Sequence, residues 1–346
     1  MTTGTRERDA SVETLRGLAV LLMVGGHVIG YDSASGLHVA DDSAWRHAYY
    51  TLAPLRMPLF TAISGFVYAL RPVGPDPWTG FMASKVRRLL LPLLSIGTPF
   101  VLLRMVTPGV HSRPDAGDLP GLLLLPQGHF WFLYALAWVF LMVGTLDALR
   151  VLETRSRWAL ALLCAFVLKG SGLLATPVLG IGHSVYLLPY FLLGVGVRRF
   201  RMERGHGLAL ALLAVGAVSM AAYQGAWYGW WSPDGLARYA LTSLLGAVTV
   251  VGLLVWRAAW SPLAMLGTFS YGIYLMHVFG TAAARILLER AGVTGTVTMT
   301  LLGLAAGIAL PIGVERFIGH RPWLVLLLLG RRIRAPVRFD APAVAS

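Results

Sequence analysis

Long apolar segments alternate with short polar or basic loops along almost the whole chain of 346 residues. A helix needs about 20 apolar residues, within a range of roughly 17–25, to cross the hydrocarbon layer of a membrane. Ten segments reach or approach this length, so the pattern predicts an all-α, polytopic integral membrane protein with about ten transmembrane helices. The segments are residues 12–30, 49–70, 88–106, 130–147, 157–175, 184–197, 207–223, 236–255, 262–281 and 296–314.

The basic residues are distributed unevenly between alternate loops. Counted from the ten predicted spans, 20 of the 29 Lys and Arg residues fall on the side of the N-terminus and seven on the opposite side. Cytoplasmic loops of membrane proteins carry the excess of Lys and Arg. We therefore expect both termini in the cytoplasm. The same distribution explains the net charge of +13 without a nucleic-acid partner.

The composition excludes a soluble domain and a fold held together by disulfides or by cysteine-bound zinc. Hydrophobic residues make up 56% of the chain and charged residues 13%, whereas roughly 25% of residues are charged in a soluble domain. Cys164 is the single cysteine, so the chain forms no intrachain disulfide and no cysteine-based zinc site. We expect a lipid bilayer around the protein and no metal cofactor.

The chain divides into one large membrane domain and a short tail. Residues 1–320 contain the ten predicted spans, with no internal repeat and no change of composition that would mark a second domain. Residues 321–346 form a basic tail that we expect in the cytoplasm. The apolar run at 323–330 is too short to cross a membrane and is suited to its interface.

Two ionisable side chains lie in the first predicted span. Arg16 and His27 are eleven positions apart, which places them within about 20° of the same helix face and about 16 Å apart along the axis. Glu13, three positions before Arg16, is expected to pair with it. Ionisable groups inside a membrane are functional candidates by default. Histidine exchanges protons near neutral pH, so His27 is a candidate general base.

Arg56 is a third ionisable residue at membrane depth. It lies about 12 Å into the second predicted span, near the level of His27, where an arginine requires an anionic partner or a water-filled cavity. One use would be to stabilise the oxyanion or carbonyl of a thioester, and a structural ion pair is the alternative. Arg16 and His27 also have structural alternatives, since Arg16 could extend to the headgroups and His27 could pack at the interface.

Four sequence motifs, in order, resemble those of the membrane acyltransferase-3 family. The first is an acidic residue followed by Arg-Gly and a histidine, here Glu13, Arg16, Gly17 and His27, although Asp is usual at the first position. The other three are the second-helix segment 56–66, the basic entry to the third helix at 81–92 and the penultimate-helix segment 270–277. The resemblance covers residues 13–315.

The resemblance implies transfer of an acyl group, usually acetyl, from cytoplasmic acyl-CoA to a hydroxyl of a sugar or related acceptor. His27, Arg16 and Arg56 are then the catalytic candidates. Arginine suits bidentate contacts with phosphate, so the candidates to bind CoA are Lys85, Arg87 and Arg88, for which ordinary positive-inside charge is the alternative. The residues expected to bind or support the substrate are Glu13, Tyr271, His277 and Trp131.

Several alternatives stay open at this point. His27 could act as a general base or as a nucleophile that carries the acyl group, and His129 and His183 are weaker site candidates. The acceptor could be a polysaccharide, a lipid-linked sugar, a macrolide-type metabolite or an amine. A transporter or flippase of a glycan or lipid-linked substrate is the main alternative function, and a membrane scaffold is a third. The excess of Arg over Lys hints at a bacterial protein, for which we expect the cytoplasmic membrane.

Overall fold

Twelve α-helices follow one another along the described part of the chain, which comprises residues 9–73, 78–111, 113–115, 117, 121, 124–202 and 205–332 of this computed structural model. These residues contain no β-strand. Single 3₁₀ turns at Gly128–Phe130 and Val178–Gly180 precede the fourth and sixth helices. The helices are α1 (Ala10–Ile29), α2 (Ala44–Tyr68), α3 (Trp78–Val106), α4 (Trp131–Ala148), α5 (Arg155–Ser171), α6 (Ile181–Arg199), α7 (His206–Trp227), α8 (Gly235–Trp256), α9 (Ser261–Thr268), α10 (Ser270–Arg290), α11 (Thr296–Ile318) and α12 (Pro322–Leu329).

Each of the ten predicted spans has a helical counterpart. Eight helices of the described residues are long and apolar enough to cross a membrane, which confirms a multi-pass, all-α protein. They are α1, α3, α7, α8, α10 and α11, together with α4 and α6 extended by their 3₁₀ turns. The other two are α5, which has only 17 residues, and α2, which contains two prolines and two arginines. The total of ten spans and the sides of the termini stay predictions.

The span predicted at 262–281 has different bounds in the structure. The chain forms the short helix α9, leaves the helical path at Phe269 and continues as α10 to Arg290. Helix α9 packs along the first part of α1. Gly17 of α1 faces the carbonyl of Leu263, and Gly267 of α9 faces the carbonyl of Glu13, with no room for a side chain at either glycine. Small residues of this kind let helix backbones approach closely.

Helix α1 lies at the centre of the packing, in contact with α2, α9, α10 and α11. Ala19, Val20 and Val24 on this helix are completely buried. Gly303 and Gly307 of α11, a pair spaced for close helix contact, face side chains of α1. Most of the first helix is therefore buried inside the protein. Of its ionisable residues, Arg16 pairs with Glu13 and His27 faces the cavity described below.

Polar contacts join helix ends that the alternating topology brings to one end of the bundle. Arg199 of α6 donates to both carboxylate oxygens of Asp147 on α4, at 2.7 and 2.8 Å, and Tyr68 of α2 donates to the same carboxylate at 2.7 Å. Arg257 after α8 pairs with Asp9 before α1, 2.5 Å apart. We call this the basic end, because it carries the loops rich in arginine.

At the opposite end, Arg46 holds the loop between α1 and α2. Its side chain is completely buried and donates to the carbonyl of Gly30 and, at 3.0 Å, to that of Val39. Asp41 lies 3.3 Å from the same guanidinium. Because one side chain binds both ends of the loop, residues 30–39 are fixed in position, and several of them form the wall of the cavity described below.

The C-terminal helix α12 returns to the basic end and packs on α3. Ser95 donates to the carbonyl of Leu327 at 2.7 Å, and Arg87 donates to that of Gly330 at 3.2 Å. Residues 333–346, most of the predicted basic tail, lie outside the described residues. The described part of the tail therefore lies directly beside the basic entry to the third helix.

Replacement of Gly267 by alanine should lower the thermal stability of the protein. The added methyl group would overlap the backbone of Glu13, and overpacking of a helix contact costs about 1–3 kcal/mol. Gly313 of α11 is the matched control, because nothing lies within 4 Å of the position of its missing methyl group. Thermal unfolding in detergent should give a lower midpoint for Gly267→Ala than for Gly313→Ala. Equal midpoints would contradict the close contact of α1 with α9.

Candidate active site

A cavity of about 900 Å³ opens at the end of the bundle opposite the basic end. Its walls come from the last parts of α1, α3 and α10 and the first parts of α2, α4 and α11. Cavities that bind small molecules typically measure roughly 300–1,000 Å³. Three of the predicted site residues line it, namely His27, Arg56 and Trp131.

The wall of this cavity combines aromatic rings, histidines and cations, and its described lining residues include no carboxylate. Histidine is the side chain whose ordinary pKa lies near neutral pH. Among the described lining residues, histidine is therefore the type best suited to proton transfer at neutral pH. The rings are those of Tyr31, Tyr49, Phe100, Trp131 and Phe279, the cations Arg56, Arg104 and Arg285, and the histidines His27, His111 and His129.

His27 is exposed to the cavity, and Arg56 of α2 lies beside it. Gly26 allows this arrangement, because a methyl group at position 26 would overlap the guanidinium of Arg56. Arg56 also donates to the carbonyl of Tyr49 at 3.3 Å and lies 3.9 Å from the centroid of its ring. No carboxylate of the described residues pairs with Arg56, so the cation borders the cavity without a counter-ion from the protein.

Two further histidines adjoin His27. The ring centroid of His277 lies 4.8 Å from that of His27 and 4.8 Å from that of His129, and the His27 and His129 centroids are 6.1 Å apart. His277 of α10 is completely buried, and His129 in the 3₁₀ turn before α4 is nearly so. The structure thus brings two other histidines next to the predicted base, His27. His277 was predicted to support the substrate, and His129 was a weaker site candidate.

A hydrogen bond from α10 holds His129 in this cluster. Tyr274 of α10 donates to the carbonyl of His129 at 2.7 Å. Trp131 stacks on His183, with 4.7 Å between the ring centroids, and His183 does not line the cavity. Within the described residues, no set of His, Cys, Asp and Glu side chains is arranged to hold a metal ion.

The predicted route from Arg16 to His27 is occupied by side chains. Arg16 pairs with Glu13 at 2.8 Å, as predicted, and the Glu13 side chain is buried. Along the helix face between Arg16 and His27 lie Val20 and Met23, which belong to the hydrophobic core. The cavity reaches Met23 and does not include Arg16. Arg16 and His27 lie on one face of α1, but only the His27 end of that face borders the cavity.

The remaining predicted residues gather at the basic end. Arg88 is exposed and lies close enough to Arg16, Arg87 and Arg331 to interact with them electrostatically. Tyr271 of α10 donates to the backbone carbonyl of Arg88 and has its ring 5.4 Å from the guanidinium. Several arginines in one place suit a ligand that carries phosphate groups.

Lys85 has a different environment from the arginines that follow it. Its ammonium group lies 3.8 Å from the ring centroid of Phe140 and 5.0 Å from that of Phe81. A cation over the face of an aromatic ring is stabilised by the negative charge of that face. Lys85 therefore contacts α4, whereas Arg88 is exposed at the surface.

Sequence reasoning missed the residues of the cavity wall that come from loops and helix ends. Arg285 could have been recognised as an arginine inside an apolar helix, because α10 continues past it to Arg290 and the residue is nearly completely buried. The span predicted at 262–281 ended before it. His111 follows α3 and carries no motif. Burial and the nearby Arg285 lower the pKa of His111 to about 4, so this histidine is neutral at neutral pH.

Comparison with known proteins agrees with the motifs. Residues 9–316, nearly the whole chain, match the acyltransferase-3 family, described as an acyltransferase domain. The nodulation protein NolL of Mesorhizobium japonicum is 25% identical over 222 residues, which cover 62% of this chain and 56% of that relative. The chain thus spans about half the length of this curated relative, and no solved structure matches it. On the extent of the family match, the chain belongs to the acyltransferase-3 family.

Proposed function

We propose that the protein transfers an acyl group, in the simplest case acetyl, from cytoplasmic acyl-CoA to a hydroxyl group of a sugar, polysaccharide or glycosylated metabolite. The observation that carries the proposal is the exposure of His27 to a cavity that has a cation, Arg56, beside it and no carboxylate in its described lining. A base and a fixed positive charge at one point are the two groups that acyl transfer to a hydroxyl requires.

In the proposed reaction, His27 takes the proton of the acceptor hydroxyl while the oxygen attacks the carbonyl carbon of the thioester. Arg56 stabilises the negative oxygen of the tetrahedral intermediate. The carbon–sulfur bond then breaks, and the thiolate of CoA leaves and receives the proton. We prefer a general base over an acyl-histidine intermediate, because a single cavity can bring donor and acceptor together.

The donor binds at the basic end in this proposal. Arg16, Arg87 and Arg88 would hold the phosphates of CoA, and the proximity of Arg331 to Arg88 adds a fourth charge. The pantetheine arm would then reach His27 along the face that Val20 and Met23 now fill. Binding of acyl-CoA therefore includes a displacement of these two side chains.

The acceptor enters from the opposite end of the bundle, where the cavity opens. If the basic end faces the cytoplasm, as the positive-inside rule predicts, this opening faces the outside of the cell. We accordingly place the protein in a bacterial cytoplasmic membrane with both termini inside. Such an arrangement moves an acyl group from an internal donor to an external alcohol.

Replacement of His27 by glutamine should reduce acyl transfer at least about 100-fold, because the base is lost. The assay uses detergent-purified protein, labelled acetyl-CoA and a panel of simple glycosides and a macrolide glycoside, with the labelled ester as the readout. His206→Gln is the control, since His206 is exposed and outside the cavity. Near-normal transfer by His27→Gln would refute the base. Movement of a glycan across sealed vesicles without ester formation would favour the transporter instead.

Replacement of Gly26 by alanine should reduce the turnover number about 10- to 100-fold without loss of folding, because the methyl group displaces the Arg56 guanidinium from His27. The adjacent Gly25 is a matched control on the same helix, with nothing within 4 Å of its missing methyl group. Steady-state kinetics should separate the two alanine variants. Equal turnover numbers for Gly26→Ala and Gly25→Ala would show that the position of Arg56 next to His27 does not affect catalysis.

Replacement of Arg88 by glutamine should raise the KM for acetyl-CoA roughly tenfold, because a charged hydrogen bond to phosphate is lost. The same variant should use S-acetylpantetheine, which lacks the phosphate groups, as well as the unchanged protein does. Arg150→Gln is the control, because Arg150 is exposed at the same end and outside the arginine group. An equal loss with both donors would contradict a phosphate contact at Arg88.

A further inference from the structure

The proton positions of two clustered histidines follow from their hydrogen bonds. Nδ1 of His277 lies 3.0 Å from the carbonyl oxygen of Ile273 and 2.9 Å from that of Tyr274. A carbonyl oxygen only accepts hydrogen bonds, so Nδ1 carries the proton and neutral His277 has its lone pair on Nε2. Nε2 of His129 lies 3.2 Å from the carbonyl oxygen of Leu275. His129 therefore has its lone pair on Nδ1.

Both lone pairs lie in the protein interior without a partner. Nε2 of His277 and Nδ1 of His129 are buried and form no hydrogen bond within the described part of the chain. A buried acceptor that is left unpaired is costly, and each one in a native structure calls for an explanation. For Nε2 of His277 the explanation is its neighbour, because the rings of His277 and His27 are 4.8 Å apart.

The charged and polar groups next to His27 and His277 differ. Arg56 lies beside His27 and repels a second positive charge there. His277 lies on the other side of the cluster, and the carbonyl oxygens of Ile273 and Tyr274 face its Nδ1. The negative ends of these two dipoles stabilise a positive charge on the ring. The two carbonyls therefore favour a transient positive charge on His277, and Arg56 disfavours one on His27.

We propose that His277 is a positioning residue that accepts a proton from His27 during acyl transfer, so that the two rings act as a relay. This inference rests on the proposed function and deepens it. In this relay one nitrogen of the His27 ring donates to the lone pair of His277, and its other nitrogen faces the acceptor in the cavity. His277 thereby fixes the orientation and the proton distribution of the base, as the third member of a catalytic triad does.

The relay conserves every proton. As the acceptor oxygen attacks the thioester carbon, its proton moves to the cavity-facing nitrogen of His27. The proton on the other nitrogen of His27 moves to Nε2 of His277, which becomes a cation. When the carbon–sulfur bond breaks, both protons move back and the CoA sulfur receives the one that left the acceptor. The products are the ester and free CoA, and both histidines return to their initial state.

His129 is the less suitable partner for His27. Its ring centroid is 6.1 Å from that of His27, compared with 4.8 Å for His277. It also has a single carbonyl partner, that of Leu275, at the longer distance of 3.2 Å. Among the other charged and titratable groups of the cluster, Arg56 from α2 faces His27 and Tyr274 from α10 faces His129. Neither is a base at neutral pH, so His277 is the proton acceptor in this cluster.

The test measures acyl transfer from labelled acetyl-CoA to the best glycoside of the panel in mixtures of H2O and D2O. Two protons that move together give a curved, bowl-shaped dependence of kcat on the D2O fraction, whereas one proton gives a straight line. We expect the curve for the unchanged protein. His277→Asn, whose amide can still donate to the carbonyls of Ile273 and Tyr274, should lower kcat about 100-fold, leave both KM values within about twofold, and give the straight line.

Two histidine variants serve as controls. His129→Gln can keep the hydrogen bond to Leu275 and should keep the curved dependence. His206 is exposed and lies outside the cavity, so His206→Asn should leave kcat unchanged. A straight line for the unchanged protein overturns the relay even if His277→Asn fails to fold. A curved line or a near-normal kcat for His277→Asn also overturns the relay. Absence of transfer by the unchanged protein overturns the proposed function itself, and the relay with it.

Discussion

Helix α1 meets its neighbours through positions that have no side chain, and the site depends on this close packing. Gly17 lies against the backbone of α9, and Gly26 leaves space for the guanidinium of Arg56 beside His27. On the opposite side, Gly303 and Gly307 of α11 receive side chains of α1. These contacts bring α2, α9 and α11 close around one helix, so that its ionisable residues face protein or cavity and not lipid. A larger side chain at such a glycine separates the helices or displaces the cation.

The cavity that results has an unusual set of polar groups for acid–base chemistry. With no carboxylate in the described lining, histidine is left as the proton acceptor, and Arg56 has no counter-ion among the described side chains. A fixed cation beside a base disfavours positive charge on the base and favours negative charge on a reacting oxygen. In the proposed reaction the cation is complementary to an oxyanion that exists only during the reaction, which is the condition for lowering a barrier and not merely binding a substrate. In the proposed relay, the buried His277 takes up the positive charge that Arg56 disfavours on His27.

The sequence predicted the features that depend on one helix at a time. Helical periodicity placed Arg16 and His27 on one face, and the spacing of Glu13 predicted its ion pair with Arg16. Features that depend on contacts between distant segments could not be predicted from the sequence. The hydrogen bond from His129 to Leu275 joins residues 146 positions apart, and nothing in the apolar pattern indicates the break at Phe269. That break shifted the predicted bounds of α10 and hid the buried Arg285 as a residue of the cavity. The packing of Val20 and Met23 between the two ends is likewise a property of the assembled core.

Acyl transfer at His27 requires a donor from the basic end and an acceptor from the opposite end to meet beside this histidine. The decisive experiment is a structure with a non-cleavable acetyl-CoA analogue, in which a ketone replaces the thioester. We expect the ketone carbon within about 5 Å of a ring nitrogen of His27, with room for the acceptor hydroxyl between them. The ketone oxygen should point toward Arg56, Val20 and Met23 should be displaced, and the phosphates should lie at Arg88. An analogue bound with its acyl end away from the cavity, while His27 and Arg56 keep their present positions, would rule out transfer at this site.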